Sequence, residues 1–60
     1  MNKLTVIVYN NNNADVIIDG KTLYTNRETA YSFIRAARMN NMREYWTRKD
    51  NNDQMYVFVK

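Results

Sequence analysis

The sixty-residue chain has no cysteine, no histidine and no proline, and it has a single glycine. Without cysteine there is no disulfide framework and no thiolate metal site. Without histidine the commonest general base and the commonest zinc ligand are both missing. One glycine leaves no room for a glycine-rich phosphate loop. Ser32 is the sole serine, and the only candidate bases are carboxylates. Asp15, Asp19, Asp50 and Asp53 fall at or beside turns, where aspartate normally serves local backbone bonding. The run Asp50-Asn51-Asn52-Asp53-Gln54 lacks the central glycine and terminal glutamate of a calcium loop. No catalytic, cofactor or metal constellation emerges, and the chain is expected to be non-enzymatic. The apolar stretch after Lys3 is too short and strand-like for a signal peptide, and no apolar run is long enough to cross a bilayer. A cytoplasmic protein without a membrane partner is the expectation.

Sixty residues are expected to form one domain, spanning 1–60, near the lower size limit for an unaided core. The net charge is +3, and it is unevenly placed. Residues 21–49 hold seven basic side chains against Glu28 and Glu44, a balance of +5, and the remainder of the chain is at −2. A positive centre flanked by acidic turns favours an anionic partner, either nucleic acid or an acidic protein patch.

The longest helical pattern is TNRETAYSFIRAARMNN, residues 25–41. Thr25 and Glu28 have the spacing of a capping box. At 100° per residue Ala30, Phe33, Ile34 and Ala37 share one narrow face, as in a helix lying on a sheet. Asn40 and Asn41 can adopt the left-handed conformation that ends a helix. Before the helix, alternation predicts strands at 3–9 and 15–18, joined by four asparagines. Asp19-Gly20 predicts a type I′ turn into a short strand at 21–24. After the helix, MREYWTRK (42–49) and QMYVFVK (54–60) read as a second hairpin around 50–53. The expected fold is α+β: a small antiparallel sheet of two hairpins with one helix packed on one face, β-β-(β)-α-β-β. Strand order is not legible.

A four-residue loop at 50–53 pairs Lys49 with Gln54, Trp46 with Val57 and Tyr45 with Phe58. That register favours Leu4, Val6, Val8, Val16, Ile18, Val57, Val59 and Trp46 beneath the helix. The uncovered face then carries Ile7, Tyr9, Ile17, Tyr45, Tyr56 and Phe58. A contiguous patch of that kind marks an interface, so a partner or a homodimer is expected there.

Two groups combine basic and aromatic residues. On the helix flank stand Arg27, Tyr31, Arg35 and Arg38. On the last hairpin Tyr45, Tyr56 and Phe58 are edged by Arg43 and Lys49. Interleaving of this kind suits single-stranded nucleic acid, with bases on the rings and cations on the phosphates. It suits a protein interface equally, since tyrosine, tryptophan and arginine are the usual anchors. These nine residues are the candidate partner-binding set.

The layout of hairpin, capped helix TNRETAYSFIRAARMNN and hairpin REYWTRKDNNDQMYVFV resembles that of small phage-encoded inhibitors of host enzymes, anti-CRISPR proteins among them. Ten asparagines and the lack of Cys, His and Pro match an AT-rich phage genome. The resemblance covers the whole chain but is architectural, and no functional residue carries over from it. It implies a protein of a phage or mobile element, acting in the host cytoplasm. Such a protein binds a larger host protein or ribonucleoprotein and inhibits a nucleic-acid-processing defence enzyme by protein–protein contact. The alternative reading is a nucleic-acid-binding regulator that uses the basic helix flank and the aromatic hairpin face.

Overall fold

The structure is a computed structural model that describes residues 1–48 and 52–60. The fold is α+β. Strands β1 (Lys3–Val8), β2 (Asn13–Ile18) and β3 (Lys21–Asn26) precede helix α1 (Arg27–Met39), and β4 (Arg43–Arg48) and β5 (Gln54–Val59) follow it. All neighbours are antiparallel, in the spatial order β3-β2-β1-β5-β4. The thirteen-residue helix is about 20 Å long. Four interstrand gaps separate the two edge strands by about 19 Å. The helix is therefore long enough to carry the chain from one edge of the sheet to the other, and β5 returns to pair with β1. Among the described residues no helix is long and apolar enough to cross a membrane.

The turns follow from residues that tolerate positive φ. Asp19 and Gly20 have φ of +47° and +90°, the type I′ pattern. The Asp19 carboxylate also accepts the Asn2 and Lys3 amides at 2.9 and 3.0 Å, tying the start of β1 to this turn. Asn41, at φ +57°, closes the helix. The Met42 amide donates to the Ala37 carbonyl and the Asn41 amide to that of Arg38, which is the Schellman arrangement with asparagine in the glycine position. Met42 packs on the core as the accompanying apolar contact.

The helix cap lies one residue later than the Thr-x-x-Glu spacing predicts, and the helix begins at Arg27. Thr25 and Asn26 extend β3, paired with Ala14 and Asn13, so neither has helical backbone. Asn26, extended at φ −120° and ψ 172°, is the cap, and its side chain accepts the Thr29 amide at 2.9 Å. Asparagine is at least as good a cap as threonine. Asn26→Ala should cost about 1 kcal/mol, read as a lower urea midpoint at unchanged slope. Thr25→Ala should cost less, because its hydroxyl caps nothing.

The second correction is the register of the last hairpin. Arg48 pairs with Gln54, Trp46 with Tyr56 and Tyr45 with Val57, one residue away from the four-residue-loop expectation. Five residues, 49–53, thus separate the paired ends of the two strands. Since alternate residues face opposite sides, this changes which aromatics lie under the helix. Phe58 pairs with Leu4 and Tyr56 with Val6. Both stand on the helix side, and Val57 and Val59 take the open side. The core is Leu4, Val6, Val8, Ala14, Val16 and Phe58 beneath Ala30, Ile34 and Ala37, with Ile18, Phe33, Tyr31 and Tyr56 packed around it. Alanines at positions 30 and 37 let the helix approach the sheet closely.

Candidate protein-binding groove

The helix packs mainly on β1 and β2 and reaches β3. On the helix side, Phe58 of β5 is buried in the core, whereas Tyr56 is only partly buried and Trp46 of β4 is half exposed. Across the sheet, register places Val6, Tyr56 and Trp46 in one row and Leu4, Phe58 and Glu44 in the next. Tyr56 is partly buried beside the helix, with Tyr31, Trp46 and Arg38 close enough to act on its hydroxyl, and the surface between the helix and β4 is called the groove below. Tyr31 and Arg38 border it on the helix, and Trp46 and Glu44 border it on edge strand β4.

Polar contacts fix this arrangement. The Arg38 guanidinium grips the Glu44 carboxylate through two bonds, Nε–Oε1 at 2.8 Å and Nη2–Oε2 at 2.7 Å. The fork-to-carboxylate geometry holds Glu44 below the usual carboxylate range, mainly through these bonds. The Tyr56 hydroxyl donates to Gln54 Oε1 at 3.0 Å. Burial raises its pKa first, the neighbouring Tyr31 raises it further, and Trp46 and Arg38 partly offset the rise. Trp46 is half exposed, at 51 %. The groove thus offers three aromatic rings and one ion pair whose charges cancel.

The nine sequence candidates divide sharply. Tyr31, Arg38 and Tyr56 come together in the groove. Arg35 is exposed and donates to Ser32 Oγ at 3.2 Å. Arg27 turns back instead of lining the flank, and its Nη2 donates to the Tyr9 carbonyl at 3.0 Å. Arg43 and Tyr45 lie on the opposite face, in the rows of Val59 and Val57. Phe58, expected on an open face, is fully buried because the register brings it under the helix. Lys49 lies outside the described residues. Trp46 stands on the helix side as expected, but half exposed instead of covered, and Glu44 on the same face was passed over as a site residue.

The face away from the helix keeps Ile7, Ile17 and the exposed Tyr45 as expected and loses Tyr56 and Phe58. Ile7 and Ile17 lie there with Met55, Val57 and Val59, none of them among the exposed large apolar residues. Tyr9 closes one end of this face, its hydroxyl donating to Asp15 Oδ2 at 2.7 Å. That bond, with burial and the negative charge of Asp15, raises the Tyr9 pKa to about 12. Tyr24, beside Asp15, borders an open concavity of about 500 Å³ with Tyr9 and Asn13. Among the described residues no group of acidic side chains is placed to hold a metal ion.

No family model matches the chain, and no curated protein or solved structure matches it.

Proposed function

We propose that the protein is a non-enzymatic binding module that docks on a larger protein through the groove of Tyr31, Trp46, Tyr56 and the Arg38–Glu44 pair. The observation that carries this reading is the bidentate Arg38–Glu44 bond, because it neutralises one of the three cations of the helix flank. Arg27 is also engaged with the Tyr9 carbonyl, so the flank does not present a row of free cations to phosphates. What remains is an aromatic cluster of the kind that anchors protein interfaces. In line with the resemblance to small phage inhibitors, the module would act by occluding or locking a host nucleic-acid-processing enzyme.

Trp46 is the only tryptophan, so its emission reports on the groove directly. Trp46→Ala or Tyr56→Ala should weaken target binding by about tenfold or more, the usual effect of removing a hot-spot ring. The parent's affinity should change little with salt. If single-stranded oligonucleotides instead quench Trp46, with affinity falling linearly in log salt, the nucleic-acid-binding reading replaces this one.

A further inference from the structure

The exposed large apolar side chains of the sheet gather at its two edges, with Leu23 and Tyr24 on β3 and Tyr45 and Trp46 on β4. On β4, Trp46 belongs to the groove and Tyr45 to the opposite face. The β3 edge is at the far side of the sheet and has no role in that reading.

The hydrogen-bond phase of β3 follows from its neighbours. The Tyr9 amide donates to the Asn13 carbonyl at 2.9 Å, and the Asp19 amide to that of Lys3 at 3.1 Å. The odd residues of this stretch therefore bond towards β1. Bonded and non-bonded pairs alternate in an antiparallel ladder. Ala14, Val16 and Ile18 must then bond to their β3 partners Thr25, Leu23 and Lys21. The Arg27 amide, donating to the Asn12 carbonyl at 3.0 Å, continues that phase. The amides and carbonyls of Thr22 and Tyr24 consequently point outward from the sheet. An edge of this kind is normally blunted by charge, proline, a bulge or a covering element. β3 has one charged residue in six and no proline, and nearly all of it is exposed. By contrast, β4 carries Arg43, Glu44 and Arg48.

We infer that β3 pairs antiparallel with β3 of a second copy, about a two-fold axis through Leu23, giving a continuous ten-stranded sheet. Outward-facing groups bond only if Thr22 lies opposite Tyr24 of the second copy, or if the register slips by two. Centring on Leu23 sets the two leucines against each other as a close non-bonded pair and places Lys21 opposite Thr25. Centring on Tyr24 would place Lys21 opposite Arg27, two like charges, and leave each leucine facing a threonine. Apolar burial and charge both select the first register. The expected dimer is weak, because an edge pairing buries less than a standard interface.

The test uses sedimentation and single-cysteine variants of a chain that has no cysteine of its own. At concentrations on the order of 100 µM, suited to an interface below standard size, the parent should sediment as a concentration-dependent monomer–dimer mixture. Leu23→Lys should stay monomeric at every concentration while keeping the parent's circular dichroism, since Leu23 is 45 % exposed. Oxidised Leu23→Cys should form a disulfide dimer, because facing non-bonded residues lie about 4.5 Å apart at Cα. Tyr24→Cys should not, since its counterpart is displaced along the strand beyond the roughly 7 Å limit for bridging. A parent that stays monomeric throughout, or a folded Leu23→Cys that fails to cross-link, overturns the inference. Cross-linking through Tyr24→Cys alone overturns the register. None of these changes touches the groove on the opposite edge, so Trp46 binding should persist in Leu23→Lys, and the two readings can fail separately.

Discussion

Phe58→Ala is expected to leave most of the protein unfolded or near its midpoint at room temperature. Among the described residues Phe58 is the largest fully buried side chain, set between Leu4 of β1 and Glu44 of β4 and packed against the helix. Truncating a buried phenylalanine typically costs about 3–5 kcal/mol, through lost transfer energy and the cavity left behind. A domain of this size has a total stability of about 3–9 kcal/mol by per-residue scaling. The loss therefore takes most or all of the margin. Val57→Ala, one residue earlier and facing away from the helix, should cost much less and leave a cooperative transition. Urea unfolding followed by circular dichroism checks both variants. If Val57→Ala proved the more damaging, the hairpin would have the four-residue-loop register, and the aliphatic face would lie under the helix.

That comparison also marks the limit of what the sequence revealed. Leu4, Val6, Val8, Val16 and Ile18 were legible as one apolar face because alternation is local, and Asp19-Gly20 fixes the β2–β3 register through a two-residue turn. The second hairpin has no such pin. Its loop can be counted as four or five residues, and both of its faces hold large apolar side chains, so periodicity alone cannot choose between them. The choice is made by shape. The rings of Tyr56 and Phe58 fill the space beside Ala30, Ile34 and Ala37, which Val57 and Val59 would leave partly empty. Trp46 was legible on the helix side but was expected to be covered there, and Glu44, on the same face, was passed over, and with it the partner that neutralises Arg38. Strand order was illegible for a related reason. The β1–β5 pairing joins opposite ends of the chain, and the Lys60 amide donating to the Asn2 carbonyl at 3.1 Å has no local signature. The helix start was misplaced by a genuine competitor, the extension of β3 through Asn26.

Gly20→Val is expected to be the most damaging change at an exposed position. Gly20 has φ of +90°, and a side chain built there meets nothing within 4 Å. The cost is therefore a property of the backbone and not of packing. Positive φ costs an ordinary L-residue about 1–2 kcal/mol, and a β-branched one is a genuine outlier there. A second loss follows from the neighbour. Asp19, at φ +47°, holds the Asn2 and Lys3 amides, and these bonds keep its carboxylate below its usual pKa, the Lys3 bond most strongly. A turn that opens to relieve valine draws this carboxylate away and loosens the start of β1. With a depressed pKa in the folded state, the Asp19 contribution is present above the ordinary aspartate range and is lost as pH falls through the folded value. In the parent, stability should accordingly decline on acidification below about pH 4, the ordinary aspartate pKa. In Gly20→Val that part of the acid limb should flatten, because the linkage is already broken at neutral pH. Gly20→Asn serves as the control, since asparagine tolerates positive φ and should keep both the turn and the acid dependence. A valine variant with the parent's urea midpoint and the parent's acid limb would show that the chain does not turn through a type I′ geometry at Asp19-Gly20.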